Sequence, residues 1–199
     1  MVYEIIIIIS LAIIFAILIS KWGKTKEEIR PSFSDWDTEK NEKSLSDINY
    51  LEEGEKYFKA QNYLEAEKYY IKATAKDPDN PIIYGRLGVI YTKNDNIKDA
   101  KEAFLMAVKL DPKNGFYQNN LGSILLNIGK CKEALIYLEN ATRIDPDKPK
   151  RWMNLAICFE KTGQLQKAKE AIKTAIKFEP KNEKYQKILE NIEKFEKIR

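Results

Sequence analysis

Few residue types in this chain could carry out chemistry. It has no histidine and only two cysteines among its 199 residues. Serine–histidine and cysteine–histidine nucleophiles, a histidine general base and histidine-ligated zinc all need an imidazole, so the sequence excludes them. Cys131 and Cys158 lack the CxxC spacing of a metal or redox site, and we expect two unpaired thiols in separate packing contacts. With no glycine-rich phosphate loop either, the sequence predicts a protein that is not an enzyme and has no cofactor and no metal site.

The charge balance also limits the class of partner. Lysine and arginine total 34 against 30 acidic residues, a formal net charge of +4. This excess is too small to indicate nucleic acid, and arginine, which reads phosphates and bases better than lysine does, is scarce. The sequence therefore predicts no nucleic-acid partner and no small-molecule substrate.

An apolar run at residues 5–19 is interrupted only by Ser10. From Val2 to Trp22 a helix would extend about 31 Å, which matches a hydrocarbon core of about 30 Å. A cleaved signal peptide is the alternative, but it needs basic residues before the apolar run, and residues 1–4 contain none. We therefore predict one transmembrane helix, an anchor over residues 1–22.

Flanking charge predicts the orientation of this anchor. Lysine and arginine resist translocation, and four of them follow the apolar run while none precedes it: Lys21, Lys24, Lys26 and Arg30. We expect a single-pass membrane protein with its N-terminus outside and the rest of the chain in the cytoplasm.

Residues 23–46 are polar and aperiodic, which predicts a flexible linker. Within it, Trp36 lies between Asp35 and Asp37. This acidic aromatic cluster is typical of a short recognition peptide or of a plug for the protein's own groove. The alternative is an aromatic side chain that rests on the following domain or on the membrane surface. Ser46 is the expected N-cap of the next helix.

A repeat of 34 residues follows the linker. An acidic residue followed by proline recurs at 77–78, 111–112, 145–146 and 179–180. These pairs divide the chain into four units, 47–80, 81–114, 115–148 and 149–182. With each unit numbered from 1 to 34, alanine occupies position 20 (Ala66, Ala100, Ala134, Ala168) and position 27 (Ala73, Ala107, Ala141, Ala175) every time. Such periodicity predicts a stack of identical supersecondary units.

The pattern within each unit predicts a helical hairpin. Position 8 is Gly54, Gly88, Gly122 and Ala156. We expect these small residues to face the alanine at position 20, so that the two helices pack closely. At position 15 or 16, asparagine or glycine should supply the positive φ of the turn, and the acidic–proline pair ends the second helix.

These features resemble the tetratricopeptide repeat (TPR) family. The fourth unit carries the family pattern in Trp152, Leu155, Phe159, Ala168, Ile172, Ala175 and Pro180, whereas the first departs from it with Glu53 in place of leucine. The resemblance implies an all-α fold, a right-handed α-solenoid of four helix-turn-helix repeats. Residues 183–199 form one more amphipathic pattern, which predicts a capping helix on the open end or, alternatively, a helix on the membrane surface.

The family geometry implies a concave groove lined by the first helix of each unit, at positions 2, 5, 6, 9, 12 and 13. Apolar residues mixed with amides suit an extended peptide. The predicted partner-binding residues are Arg86, Val89, Asn119, Asn120, Ser123, Asn127, Asn154 and Ile157. We expect Asn120 and Asn154 to face solvent, and the alternative is that these amides only solvate the groove.

The function expected from this layout is a membrane-anchored TPR scaffold that binds a protein partner, as an extended peptide segment, in its groove. The alternative is an adaptor for an envelope-assembly or secretion enzyme complex, with the repeats on the extracytoplasmic side. The carboxylate clamp of family members that bind chaperone tails is not reproduced, because Leu51 and Glu55 occupy its first positions.

Overall fold

The computed structural model describes residues 49–198, and within this range the chain is helical with no strand. The helices in chain order are α1 (Tyr50–Lys59), α2 (Tyr63–Lys76), α3 (Pro81–Lys93), α4 (Ile97–Leu110), α5 (Gly115–Asn127), α6 (Cys131–Ile144), α7 (Pro149–Lys161), α8 (Leu165–Phe178) and α9 (Glu183–Ile198). None of the helices in this range is both long enough and apolar enough to cross a bilayer. The predicted anchor and linker lie outside the described residues.

Each odd-numbered helix from α1 to α7 packs on the even-numbered helix that follows it, and each even-numbered helix packs on the odd-numbered helix that comes next. This arrangement is the predicted α-solenoid. The first helix begins later than expected. Asn49, not Ser46, is its N-cap, and the Asn49 side chain accepts a hydrogen bond from the backbone N–H of Glu52 at 3.2 Å.

The turn inside each hairpin passes through one residue with positive φ, always at position 15. These residues are Gln61 (58°), Asp95 (56°), Gly129 (79°) and Gly163 (77°). We expected asparagine to take this role in the first two units, and that was wrong. Asn62 and Asn96 instead cap α2 and α4, because their side chains accept hydrogen bonds from backbone N–H groups in the first turn.

Small residues at position 8 make room for a large side chain at position 24. A Cβ atom on Gly88 would lie 2.7 Å from the ring of Phe104, and one on Gly122 would lie 2.6 Å from Leu138. The expected partner at position 20 is more distant, since the carbonyl oxygen of Ala134 lies 3.4 Å from the Gly122 position. The eight alanines at positions 20 and 27 are nevertheless at most 3% exposed, so they lie inside the helix interfaces.

Helix α9 continues the repeat in the register of a first helix. In each unit from the second onward, the side chain at position 4 donates a hydrogen bond to a proline carbonyl six residues earlier: Tyr84 to Pro78, Gln118 to Pro112, Trp152 to Pro146 and Gln186 to Pro180. This shared contact places α9 in the same register as α3, α5 and α7.

The capping role predicted for α9 agrees with its packing on α8 and α7. Tyr185 and Ile192 are buried there, but Phe195 is 56% exposed, so the apolar stripe of this helix is only partly covered. Glu190 is exposed at position 8, where the earlier units have glycine or alanine. A charged side chain at this position replaces the small residue that allows close helix packing in the earlier units.

Candidate protein-binding groove

The first helices of successive units, α1, α3, α5 and α7, lie side by side and form one face of the described chain, which we call the groove. Side-chain hydrogen bonds join two neighbouring pairs of these helices. Arg86 on α3 contacts Glu55 on α1, and Asn154 on α7 contacts Ser123 on α5. In both contacts, position 6 of one unit meets position 9 of the unit before it.

Arg86 forms a bidentate ion pair with Glu55. Its Nε and Nη2 donate to the two carboxylate oxygens at 2.5 and 3.0 Å. The guanidinium also lies over the ring of Phe58, 4.7 Å from the ring centroid. Arg86 thus lies in the groove, but two of its nitrogen atoms are already engaged by the preceding unit.

The ion pair extends to a buried tyrosine. The Tyr70 hydroxyl donates to Glu55 at 2.9 Å. Burial acts to raise the pKa of Glu55, but the hydrogen bonds from Arg86 and Tyr70 outweigh it and hold this pKa below its usual value. Burial and the hydrogen bond to Glu55 both raise the pKa of Tyr70. Glu55 is therefore ionised and Tyr70 is neutral at pH 7. In these protonation states the hydrogen bonds among Tyr70, Glu55 and Arg86 join the first two units.

Asn154 does not face solvent, contrary to our expectation. It is 7% exposed. Its Nδ2 donates to Oδ1 of Asn119 at 3.1 Å and to Oγ of Ser123 at 2.8 Å. Because a buried amide needs partners, Asn154 joins the third and fourth units and is not available as a primary contact for a ligand.

The other predicted binding residues remain at the groove surface. Asn120 is half-buried, and its Nδ2 donates to the backbone carbonyl of Phe116 at 2.7 Å, which leaves its side-chain oxygen for a ligand. Asn127 is exposed at the end of α5. Val89 and Ile157 are half-buried and pack against the core. The structure therefore brings Asn119, Ser123 and Asn154 into one cluster and leaves the rest along the same face.

A recess opens in the groove between α3 and α5, with a volume of about 310 Å³. Its lining residues are Ile82, Gly85, Arg86, Asn114, Phe116 and Tyr117. Two of them are large apolar residues with substantial exposure, Ile82 at 47% and Phe116 at 44%. This is where the groove presents apolar surface to solvent.

Sequence reasoning placed Ile82 and Phe116 in the groove but did not include them among the binding residues. The sequence did contain a signal for these two residues, because position 2 is apolar in the second and third units but lysine in the fourth. Tyr117 was missed because position 3 points toward the neighbouring unit, and it lines the recess only because Gly85 has no side chain in its way.

Within residues 49–198, no three acidic, cysteine or histidine side chains lie close enough together to hold a metal ion.

A family model described as "Tetratricopeptide repeat" matches residues 57–121 and 129–192. No curated protein sequence matches the chain. Among solved structures, YrrB, described as a TPR protein with an unusual peptide-binding site, is 21% identical with a TM-score of 0.73, over 81% of this chain and 84% of YrrB.

MamA and pilF are two further examples among the similar solved structures. MamA of Desulfovibrio magneticus RS-1, from residue 41 to its end, is 22% identical with a TM-score of 0.69, over 74% of this chain and 84% of that one. The pilF protein of Pseudomonas aeruginosa is 21% identical with a TM-score of 0.64, over 74% of this chain and 68% of the pilF chain. At these identities the likeness shows the fold alone.

Proposed function

Because the chain belongs to the tetratricopeptide repeat family of protein-interaction scaffolds, we propose that it binds a protein partner as an extended peptide segment in the groove of its second to fourth repeats. The observation that carries this proposal is the pairing of exposed apolar surface with amides. Phe116 is exposed one turn from Asn119 and Asn120. An extended peptide needs pockets for side chains and polar partners for its backbone, and this face offers both. The peptide-binding site described for YrrB supports such a use of this fold.

The test begins with the partner. Residues 47–199, which we expect to be soluble and predominantly helical, are immobilised and used to capture proteins from a lysate of the native cell. The captured partner is then titrated against Asn120→Ala together with Asn127→Ala. Each lost hydrogen bond should cost about 0.5–1.5 kcal/mol, so the double variant should bind roughly five- to a hundredfold more weakly.

A matched control keeps this test specific. Asn140 lies on α6, a second helix outside the groove, and its side chain accepts a hydrogen bond from Arg143 at 3.2 Å. Asn140→Ala should leave the affinity unchanged. Equal affinities for the groove variant and the control, with the helical signal intact, would place the partner on another face.

We also propose that residues 1–22 anchor the scaffold in a membrane, with the repeats in the cytoplasm. The support is the apolar run with positive charge only on its C-terminal side. The chain should sediment with membranes and resist extraction by alkaline carbonate. Deletion of residues 1–22 should release it.

Orientation is tested with a cysteine introduced at Ser34, in the predicted linker, and a membrane-impermeant thiol reagent. In intact cells this cysteine should stay unmodified, whereas after lysis it should react fully. Labelling in intact cells would instead support the alternative function, an adaptor for an envelope-assembly or secretion enzyme complex outside the cytoplasm.

A further inference from the structure

The recess between α3 and α5 is lined largely by rings and apolar surface. Phe116 and Tyr117 form an edge-to-face pair, with ring centroids 5.9 Å apart, and Ile82 adds an aliphatic wall. The guanidinium of Arg86, which already lies over the ring of Phe58, forms a further part of the lining. Aromatic rings pack favourably against other rings and against guanidinium groups. This lining therefore favours an aromatic occupant over an aliphatic one.

The recess exists because of a local departure from the repeat. Position 5 of the second unit is Gly85, and the ring of Tyr117, at position 3 of the third unit, packs where a side chain on Gly85 would lie. Between the third and fourth units the same two positions hold Asn119 and Arg151, and Arg151 contacts Asp145 instead. Among the four units, only the boundary between the second and the third combines glycine with tyrosine at these positions. The groove thus has one such recess for one side chain.

The charges around the recess disfavour a charged occupant. Arg86 is the one charged residue in its lining, and both carboxylate oxygens of Glu55 already accept hydrogen bonds from it. Asp111 lies beside the recess, where its carboxylate accepts a hydrogen bond from the lining residue Asn114 at 3.3 Å. An ammonium group would meet Arg86, a carboxylate would meet Asp111, and either would lose hydration on entry. The recess therefore suits an uncharged side chain.

The hydroxyl group of Tyr117 offers a polar contact at the same place. Tyr117 is 7% exposed, and its hydroxyl makes no hydrogen bond within residues 49–198. Burial and the charge of Asp111 raise the pKa of Tyr117 although Arg86 opposes them, so this hydroxyl keeps its proton at pH 7. A donor on a largely buried ring is satisfied only by water or by a ligand. A peptide carbonyl is such an acceptor.

We propose that the recess is the anchor site for one aromatic side chain of the partner's peptide segment, and that the Tyr117 hydroxyl donates a hydrogen bond to a backbone carbonyl of this segment. Asn120, one turn from Phe116 on α5, then offers its side-chain oxygen to the neighbouring part of the peptide backbone. The class of partner is an extended segment with an aromatic residue at the anchor position. This inference rests on the proposed peptide-binding function.

The experiment uses the full chain in detergent micelles, with glycine labelled with 15N and tyrosine labelled with 13C at the carbonyl carbon. Tyr84–Gly85 is the only tyrosine–glycine pair in the sequence, so the NMR signal of the Gly85 amide is identified by its coupling to Tyr84. Labelled threonine identifies Gly163 in the same way, because Thr162–Gly163 is the only threonine–glycine pair. Gly163 lies in the turn of the fourth hairpin and is the internal control.

The probes are the N-acetyl amides of tryptophan, leucine, lysine and glutamate. The tryptophan probe should shift the Gly85 signal to saturation and leave the Gly163 signal in place. The leucine probe should bind about two- to tenfold more weakly, because it lacks the ring contacts. The lysine and glutamate probes should bind more weakly still, because a charge must be desolvated.

Variants locate the effect. Phe116→Ser should weaken binding of the tryptophan probe by at least about tenfold, because it removes an apolar wall. Ile82→Ser provides the same test if Phe116→Ser loses its helical circular dichroism signal. Tyr117→Phe keeps the ring and should weaken binding by about two- to tenfold, because it removes one hydrogen bond. Ile136→Ser is the matched control and should change nothing, since Ile136 is 61% exposed on α6, outside the groove.

A Gly85 signal that the tryptophan probe does not move would overturn the anchor site, as would equal affinity for any of the other probes or binding that survives Phe116→Ser. Unchanged affinity of Tyr117→Phe would overturn the proposed hydrogen bond. The captured partner is titrated separately. If it responds to the loss of Asn120 and Asn127 while the probes fail, the proposed function stands and this inference falls. If the probes bind as expected and the partner does not respond, the proposed function falls and the recess remains a site for aromatic side chains.

Discussion

Cys158 on α7 donates its thiol hydrogen to the backbone carbonyl oxygen of Cys131, the first residue of α6, over 3.0 Å. Both cysteines are free and buried, which confirms the prediction of unpaired thiols. The expectation that they occupy separate packing contacts was wrong, because position 10 of the fourth unit meets position 17 of the third.

The first prediction concerns the reactivity of these thiols. Burial, together with the neighbouring Cys131, raises the pKa of Cys158 to about 12. Since the thiolate is the reactive form, Cys158 should resist alkylation by iodoacetamide at pH 8 in the folded protein and react readily in concentrated urea. Peptide mass spectrometry after each treatment measures the modified fraction. A disulfide in protein purified without reductant would contradict this prediction and count against the cytoplasmic orientation.

The second prediction contrasts two asparagines at the same repeat position. Asn154→Ala removes two hydrogen bonds to the third unit and should lower the free energy of unfolding by about 1–3 kcal/mol. Asn120→Ala removes only a hydrogen bond to its own helix and should change the free energy of unfolding by less than about 0.5 kcal/mol. Urea unfolding of residues 47–199, followed by circular dichroism, measures both. Equal losses in the two variants would mean that Asn154 does not join the repeats.

The third prediction is a pH dependence of stability from Glu55. Burial opposes its ionisation, but the bonds from Arg86 and Tyr70 lower its pKa below the value of about 4.5 expected in the unfolded chain. A lowered carboxyl pKa stabilises the fold above the unfolded pKa, and this contribution is lost as the pH falls through the folded one. Glu55→Gln should therefore cost about 1 kcal/mol at pH 7, because the pair is partly exposed, and less at pH 3.

Glu53→Gln is the control for this measurement. Glu53 lies on the same helix and pairs with Lys56 at 3.4 Å on the exposed surface. Its substitution should change the free energy of unfolding by less than about 0.5 kcal/mol at pH 7. If Glu55→Gln cost as much at pH 3 as at pH 7, the loss would come from packing and not from charge.

The sequence predicted what depends on the repeat itself. The hairpins, the burial of the alanines at positions 20 and 27 and the end of each second helix follow from local periodicity, which the sequence displays directly. The contacts between units were harder to predict. Asn154 is buried because Asn119 and Ser123 approach it from the preceding repeat. That approach depends on the rotation from one repeat to the next, which no local pattern contains.

The turns inside the hairpins were also predicted only in part. Gly129 and Gly163 were predicted because glycine tolerates positive φ. Gln61 adopts φ of 58° although glutamine has no such preference. Packing of the two helices fixes the turn geometry, and the residue at position 15 must follow it, whatever its type.

That constraint gives the last prediction. A non-glycine residue in the left-handed region is strained by about 1–2 kcal/mol, less for aspartate, while glycine loses about 0.5–1 kcal/mol more chain entropy on folding. Gln61→Gly should therefore raise the free energy of unfolding by roughly 0.5 kcal/mol, and Asp95→Gly by less. Asn94→Gly is the matched control, since Asn94 has φ of −86° and gains nothing from glycine. Asn94→Gly should lower the midpoint of urea unfolding, whereas Gln61→Gly should raise it. A lower midpoint in both variants would show that the turn at Gln61 is not strained.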